Sequence, residues 1–184
     1  MLKGKNVILR SVRKDDLQNL LKWCDDPEML QNMYLYLPIS EFSEEKWIEA
    51  ASSSEANDAI FVIEISVEGQ SVAIGTCAVN KINWKDRNAE IGIIIGEKKY
   101  WDKGYGSEAL SLLVNYGFSQ LNLHRIWAWV FEFNYKRIPL FQRIGLQQEG
   151  CLRSAIFKNG RYWDIAILGL LKNEWLNNQK NNEM

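Results

Sequence analysis

The chain has 184 residues, which is a usual length for one domain with a single hydrophobic core. Its formal net charge is −1, with both signs interspersed, which argues against a dedicated nucleic-acid-binding surface. No run of about 18 apolar residues is present to span a bilayer, and the start lacks the apolar region of a signal peptide. We therefore expect a cytoplasmic protein that binds neither nucleic acid nor membrane.

Composition also sets expectations for domains and metals. Residues 1–176 are expected to form a single domain, and the polar residues 177–184 are expected to form a frayed tail. Cys24, Cys77 and Cys151 are scattered and lack metal-ligand spacing, as expected of a reduced cytosolic protein without a metal site.

The first part of the chain predicts a strand and two helical segments. Residues 7–10 are strand-like, and a helix face follows them, formed by Leu17, Leu20, Leu21 and Trp23. Pro27 is expected to close this region. A second helical stretch begins near Ser43.

An antiparallel meander is predicted next. Residues 60–67 and 72–82 are predicted to form a hairpin with a turn at Glu68 and Gly69. Residues 85–88 form a second turn that leads into a third strand at 89–95.

The second half predicts a parallel crossover and a final hairpin. A helix over about residues 107–120 lies between the strand at 89–95 and an aromatic-rich strand at 124–133, and such a unit requires a parallel, right-handed connection. A short helix ends at Gly145, and two long strands meet at residues 159–160. The predicted class is α+β with a mixed sheet.

The glycine-bearing segment 99–108 joins a strand to a helix, where unpaired backbone N–H groups and the helix dipole favour a phosphate. A plain turning loop is the alternative. A dinucleotide fingerprint does not fit, because about eight residues separate the preceding strand from the glycines, whereas such a loop follows its strand at once. A Walker loop is excluded because no Gly-Lys-Ser/Thr sequence occurs.

Taken together, these motifs resemble the GNAT superfamily, in particular the branch of spermidine acetyltransferases and ribosomal-protein N-terminal acetyltransferases. The resemblance covers nearly the whole chain, and it is carried by residues 7–10, 89–92, 100–108, 121–125, 134, 145, 149–150 and 159–164. In the loop, Trp101 takes the first consensus place and Asp102 stands where glycine is usual.

The resemblance implies a mostly antiparallel central sheet flanked by helices, with a splayed parallel strand pair that binds acetyl-CoA as co-substrate. The implied pantetheine-pairing residues are Ile93, Ile94 and Ile95. The implied pyrophosphate-binding residues are Trp101, Asp102, Lys103, Gly104, Tyr105, Gly106 and Ser107. Asn134, Arg137 and Phe141 complete the implied coenzyme site, although a helix cap is an alternative role for Asn134.

The resemblance also implies catalytic residues. An alkylamine has a pKa of about 10.4, so a base must accept its proton before it attacks the thioester. Glu90 matches the position of that base in some relatives; a solvent-facing strand residue is the alternative. In many relatives a tyrosine at the position of Phe141 acts as the general acid that protonates the departing thiolate. Here the candidate acid is Tyr135 or a water, unless the thiolate leaves unassisted.

The acceptor is left open between a small polyamine, which we favour, and a protein N-terminus, and a non-catalytic acyl-CoA sensor is a third possibility. Asp164 is expected either to hold the acceptor's ammonium or to protect a sheet edge. Several acidic residues either attract a polycation or form a solvated helix face: Glu41, Glu44, Glu45, Glu49, Glu55 and Asp58. The eight tryptophans suit either a homodimer interface or a well-filled core.

Overall fold

The computed structural model describes residues 1–33, 40–51 and 58–182. In these residues an eight-stranded sheet has the strand order β1-β2-β3-β4-β5-β6-β8-β7. The strands are β1 (Leu2–Lys3), β2 (Val7–Ser11), β3 (Ala59–Val67), β4 (Gln70–Asn83), β5 (Asn88–Ile95), β6 (Arg125–Phe131), β7 (Gln147–Lys158) and β8 (Arg161–Leu171). Neighbouring strands are antiparallel except β5 and β6, which are parallel. The predicted mixed, mostly antiparallel sheet is confirmed.

Helices cover both faces of this sheet. They are α1 (Leu17–Asp25), α2 (Pro27–Asn32), α3 (Glu41–Ala51), α4 (Tyr105–Ser119), α5 (Ile138–Arg143) and α6 (Lys172–Asn182). One apolar cluster joins α4 to the sheet through residues such as Ile63 and Ile91, and a second joins α1 and α3 to it through Val62. Because successive strand residues point to opposite faces, the neighbours Val62 and Ile63 belong to different clusters.

Two predictions at helix ends differ from the structure. Pro27 ends α1 but does not close the region, because it lies in the first turn of α2, where a missing N–H is harmless. The Asp26 side chain caps α2 by accepting hydrogen bonds from the backbone N–H groups of Glu28 (2.9 Å) and Met29 (3.3 Å). Residues from 177 onward, for which composition predicts a frayed tail, continue α6 to Asn182.

Strand β6 also ends earlier than predicted. It stops at Phe131, and a 3₁₀ turn at Glu132–Arg137 leads into α5. Asn134 interrupts this turn with φ −129° and ψ 17°. Pro139 lies in the first turn of α5, where proline is tolerated.

The parallel pairing of β5 and β6 is short, and this creates a fork in the sheet. Only three positions pair, the last being Glu90 with Trp127. Strand β5 meanwhile stays paired with β4 as far as Ile95 opposite Gly75. The edge of β5 beyond Glu90 therefore has no strand beside it among the described residues.

A buried ionic cluster anchors the N-terminal strand to the first helices. Arg10 donates two hydrogen bonds of 2.7 Å to Asp16 and one of 2.6 Å to Glu64, and Arg10 and Asp16 are only 6% and 4% exposed. Burial opposes ionisation of Asp16, but hydrogen bonds from Arg10 and from the Arg13 backbone outweigh it and lower the pKa of Asp16. Paired in this way, Asp16 ties β2 to the start of α1.

Replacing Asp16 should destabilise the fold in a pH-dependent way. We expect Asp16→Asn to lower the free energy of unfolding at pH 7 by about 3–5 kcal/mol, because it leaves the Arg10 charge buried without a full partner. Because the folded-state pKa of Asp16 is lowered, its contribution is complete above the ordinary value of about 3.9 and disappears as the pH falls through the folded value. Urea unfolding across this range checks both expectations, with the exposed Asp15→Asn as control; equal stability of the two variants would contradict them.

Candidate active site

A cavity of about 440 Å³ opens at the fork between β5 and β6. Its walls come from β4, β5 and β6, and from residues of α2, α3 and α5. The sequence-predicted residues that line it are Glu90, Ile93, Ile94, Ile95, Trp101, Asn134, Arg137 and Phe141. Most of the predicted coenzyme site and the predicted base therefore share one cavity.

The unpaired edge of β5 lines the cavity, and aromatic and basic side chains lie beside it. The Trp101 indole N–H donates to the Ile95 carbonyl at 2.7 Å, which fixes the ring beside the strand. The Arg137 guanidinium lies 5.4 Å from the centre of that ring. Phe141 is buried against the same space, with an apolar ring and no proton to donate.

Asn134 places a side-chain carbonyl oxygen in the cavity wall. This oxygen is buried, and it has no hydrogen-bond partner in the structure. A buried acceptor without a partner is unfavourable by about 1–3 kcal/mol and calls for an explanation. An amide N–H of a bound pantetheine would satisfy it, so these residues fit acetyl-CoA.

The glycine loop leads from the cavity to α4. Gly104 precedes α4 with φ +86° and supplies no side-chain cap, so the first amides of the helix stay available to an anion. Asp102 adopts φ +57°, the left-handed conformation that explains why glycine is usual in its place. Lys103, Gly104, Tyr105, Gly106 and Ser107 do not line the fork cavity, but follow it in the loop and first turn of α4.

The position of the loop is fixed by Glu108, whose role the sequence does not reveal. Its carboxylate accepts hydrogen bonds from the backbone N–H groups of Asn6 (2.7 Å) and Val7 (3.1 Å). Burial opposes ionisation, but these bonds outweigh it and lower the pKa of Glu108. The first turn of α4 is thereby tied to the start of β2.

A second cavity of about 430 Å³ adjoins the first, and Asn32, Trp101 and Arg137 line both. Lys158 lines it together with Gln31, and the Lys158 ammonium donates to the carbonyls of Leu30 (2.6 Å) and Gln31 (3.0 Å) at the end of α2. Burial lowers the pKa of Lys158. At the other end of α2, Lys98 pairs with Asp26 and Glu28, at 2.8 Å each.

Glu90 lies where the fork begins, and a lysine ammonium is bound to it. The Lys81 ammonium is 2.6 Å from a Glu90 carboxylate oxygen. The same ammonium lies 4.6 Å from the ring centre of Trp129 and 5.4 Å from that of Trp127. Sequence reasoning missed Lys81, because an irregular pairing between β4 and β5 that follows Asn80 determines its position.

The acidic residues of the α3 region separate into different environments. Asp58 lines the cavity, whereas Glu41, Glu45 and Glu49 are exposed on α3. Glu44 is buried, and burial raises its pKa. Glu55 lies outside the described residues. Of this set, only Asp58 adds a described carboxylate to the cavity that contains Glu90.

Two predicted site residues lie elsewhere. The Tyr135 hydroxyl contacts the Cys151 sulfur at 3.9 Å, and burial, together with that contact and nearby carboxylates, raises the pKa of Tyr135 to about 12. The Asp164 carboxylate accepts a 2.7 Å hydrogen bond from the Ser154 backbone, in an irregular part of the β7–β8 pairing. Neither residue lines either cavity, so the geometry does not bring them to the fork.

The described residues offer no further class of site. They contain no group of three or more His, Cys, Asp or Glu side chains that could hold a metal ion. In the same residues, no helix has the length and apolar character needed to cross a membrane. Cys24, Cys77 and Cys151 are all free.

Comparisons with known proteins agree with this geometry. The model of the GNAT acetyltransferase domain matches residues 6–147. The uncharacterized N-acetyltransferase p20 of Bacillus licheniformis is 34% identical over 183 residues, covering 93% of this chain and 96% of the relative. Spermidine N(1)-acetyltransferase of Vibrio cholerae is 27% identical over 174 residues, covering 95% and 98%.

A solved structure is similar over almost its whole length. The spermidine N-acetyltransferase of Vibrio cholerae in complex with CoA and spermine has a TM-score of 0.85 and 26% identity, covering 94% of this chain and 99% of that one. Fold, fork cavity, domain match and full-length relatives all agree, and the chain belongs to the GNAT family of acetyl-CoA-dependent N-acetyltransferases.

Proposed function

We propose that this acetyltransferase acts on a small polyamine, bound in the part of the fork cavity that lies towards α2 and α3. The observation that carries the proposal is the composition of that part of the cavity. It combines the carboxylates of Asp58 and Glu90 with the apolar surfaces of Trp47, Trp129 and Met29.

A polyamine alternates ammonium groups with methylene segments. Carboxylates and indole faces bind the ammonium groups, and Met and Trp side chains cover the methylenes. The Vibrio cholerae relative crystallised with CoA and spermine supports the same acceptor class.

The coenzyme is proposed to lie along the unpaired edge of β5. Ile93, Ile94 and Ile95 offer their backbone to the pantetheine, Asn134 accepts from one of its amides, and Arg137 and Phe141 flank it. The residues from Trp101 to Ser107, with Asp102, Lys103, Gly104, Tyr105 and Gly106, are proposed to hold the pyrophosphate at the start of α4. The bound coenzyme supplies an acetyl thioester.

Glu90 is proposed as the base that takes the proton of the acceptor ammonium. It is the last residue of β5 that pairs with β6, so it lies where coenzyme and acceptor regions meet. The proposed acid, Tyr135, and the proposed acceptor ligand, Asp164, have weaker support because their side chains lie together near Cys151. A water at the fork is the alternative proton donor to the departing thiolate.

Residues 1–176 are proposed to form one acetyltransferase domain. A cytoplasmic location is proposed because all three cysteines are free, as in reducing compartments. A homodimer stays a prediction.

The acceptor class is tested by thiol release from acetyl-CoA at pH 8, with spermine, spermidine, an aminoglycoside and a ribosomal-protein N-terminal peptide as acceptors. We expect turnover with spermine and spermidine, because each presents several ammonium groups to the cavity. Turnover on the peptide alone would contradict a polyamine function. Tight acetyl-CoA binding without turnover on any amine would indicate a sensor instead.

Replacing Glu90 tests the proposed base. We expect Glu90→Gln to lower kcat by about 10²–10⁴-fold and to flatten its rise between about pH 7 and 9, because the amine then lacks its proton acceptor. Asp58→Asn should instead raise KM for spermidine, since it removes an attractive charge that is not the base. A pH profile of Glu90→Gln with the wild-type slope and rate would remove Glu90 from the mechanism.

The proposed role of Asn134 is tested by measuring two quantities, the affinity for acetyl-CoA and the free energy of unfolding, because only the first should fall. Asn134→Leu should weaken acetyl-CoA binding by about 10- to 100-fold, because the coenzyme amide loses its acceptor. It should not lower the free energy of unfolding of the free protein, because it removes a buried oxygen that has no partner. Calorimetry and urea unfolding check the two expectations, with the exposed Asn115→Leu as control; unchanged affinity would contradict the proposed contact.

A further inference from the structure

The Lys81 side chain does not line the fork cavity, but its ammonium reaches a carboxylate that does. The ammonium is 2.6 Å from Glu90, the proposed base, and it faces the Trp127 and Trp129 rings. A carboxylate and two indole faces are the groups that bind an alkylammonium ion. The primary amine of Lys81 therefore has the surroundings that a polyamine would need.

The backbone of Lys81 directs the side chain to this place. Lys81 adopts φ +53°, a left-handed conformation that is unfavourable for a residue with a Cβ by about 1–2 kcal/mol. Its N–H donates a 2.7 Å hydrogen bond to Asp58, a carboxylate of the cavity wall. The irregular pairing of β4 with β5 between Asn80 and Asn83 accommodates the turn. The conformation is thus held by the cavity wall itself.

The Lys81 side chain lies mostly at the surface, although its ammonium is paired with Glu90. It is 59% exposed, and its long aliphatic chain allows the amine to leave Glu90 or to advance into the fork. A lysine locked in a buried ion pair could do neither.

We propose that Lys81 is a self-acetylation site of this enzyme. The inference rests on the proposed function, because it uses the same acetyl-CoA site and the same base. Glu90 accepts one proton from the ammonium, and the neutral amine attacks the thioester carbonyl carbon. A C–N bond forms and the C–S bond breaks, and the nitrogen passes its second proton, directly or through water, to the departing thiolate, giving acetyl-lysine and the coenzyme thiol. No other reactant is needed.

Acetylation changes the site as well as the residue. The amide formed at Lys81 carries no charge, so it can neither pair with Glu90 nor bind the indole rings as a cation. A polyamine that occupies the same place keeps Lys81 away from the thioester. Self-acetylation is therefore expected to be slowed by spermidine.

The test is incubation of the full chain with isotopically labelled acetyl-CoA and no amine, followed by peptide mass spectrometry over time. Lys85 is the matched control, because it is exposed and lies only four residues away, on the connection that follows β4. We expect label at Lys81 about 100-fold faster than at Lys85, the lower end of the contribution of a general base. Spermidine and Glu90→Gln should each slow labelling of Lys81 without changing Lys85.

Equal labelling of Lys81 and Lys85, or the same rate at Lys81 in heat-unfolded protein, would overturn the inference. If spermidine is acetylated while Lys81 stays unlabelled, self-acetylation is overturned and the proposed function is unaffected. If neither spermidine nor Lys81 is acetylated while acetyl-CoA binds, both fail. Lys81→Arg should abolish label at this position, and label that persists on the same peptide would show a different acceptor.

Discussion

The arrangement of the site depends on the early end of the pairing between β5 and β6. Three paired positions hold the strands together, and the separation beyond Glu90 leaves one edge of β5 without a partner strand. Unpaired backbone in a protein interior is unfavourable unless something bonds to it, so the fork is a natural place for a ligand with amide groups. The short β6 and the irregular turn at Asn134 keep the fork open.

The lining of the cavity combines two chemistries because different elements supply it. Towards α5, the wall offers the Asn134 oxygen, the Arg137 cation and the Phe141 ring, which suit a polar and anionic coenzyme. Towards α2 and α3, the wall offers carboxylates among Trp and Met side chains, which suit a cation with apolar segments. Glu90 lines the same cavity and lies where the pairing of β5 with β6 ends.

Sequence patterns predicted the sheet and the parallel crossover, because these depend on local periodicity, and the family resemblance supplied the coenzyme residues that line the cavity, whose role stays a proposal. They did not predict α2, since Pro27 indicates a helix end as readily as a helix start. They could not show that the Tyr135 and Asp164 side chains lie outside both cavities, because the direction of a side chain depends on packing between β7, β8 and the 3₁₀ turn. Lys81 was missed because its place depends on an irregular pairing that leaves no mark in hydrophobic alternation.

The attachment of α2 makes its part of the cavity lining sensitive to salt, unlike the part supplied by β5 and α5. Lys98 joins the start of α2 through ion pairs with Asp26 and Glu28, and Lys158 joins its end through backbone carbonyls. Ion pairs near the surface weaken as salt screens them, whereas the packing of Phe141 and the backbone of β5 do not. Ionic strength should therefore loosen the part of the lining that α2 supplies, which is proposed to bind the amine, and leave the part supplied by β5 and α5, which is proposed to bind the coenzyme, largely unaffected.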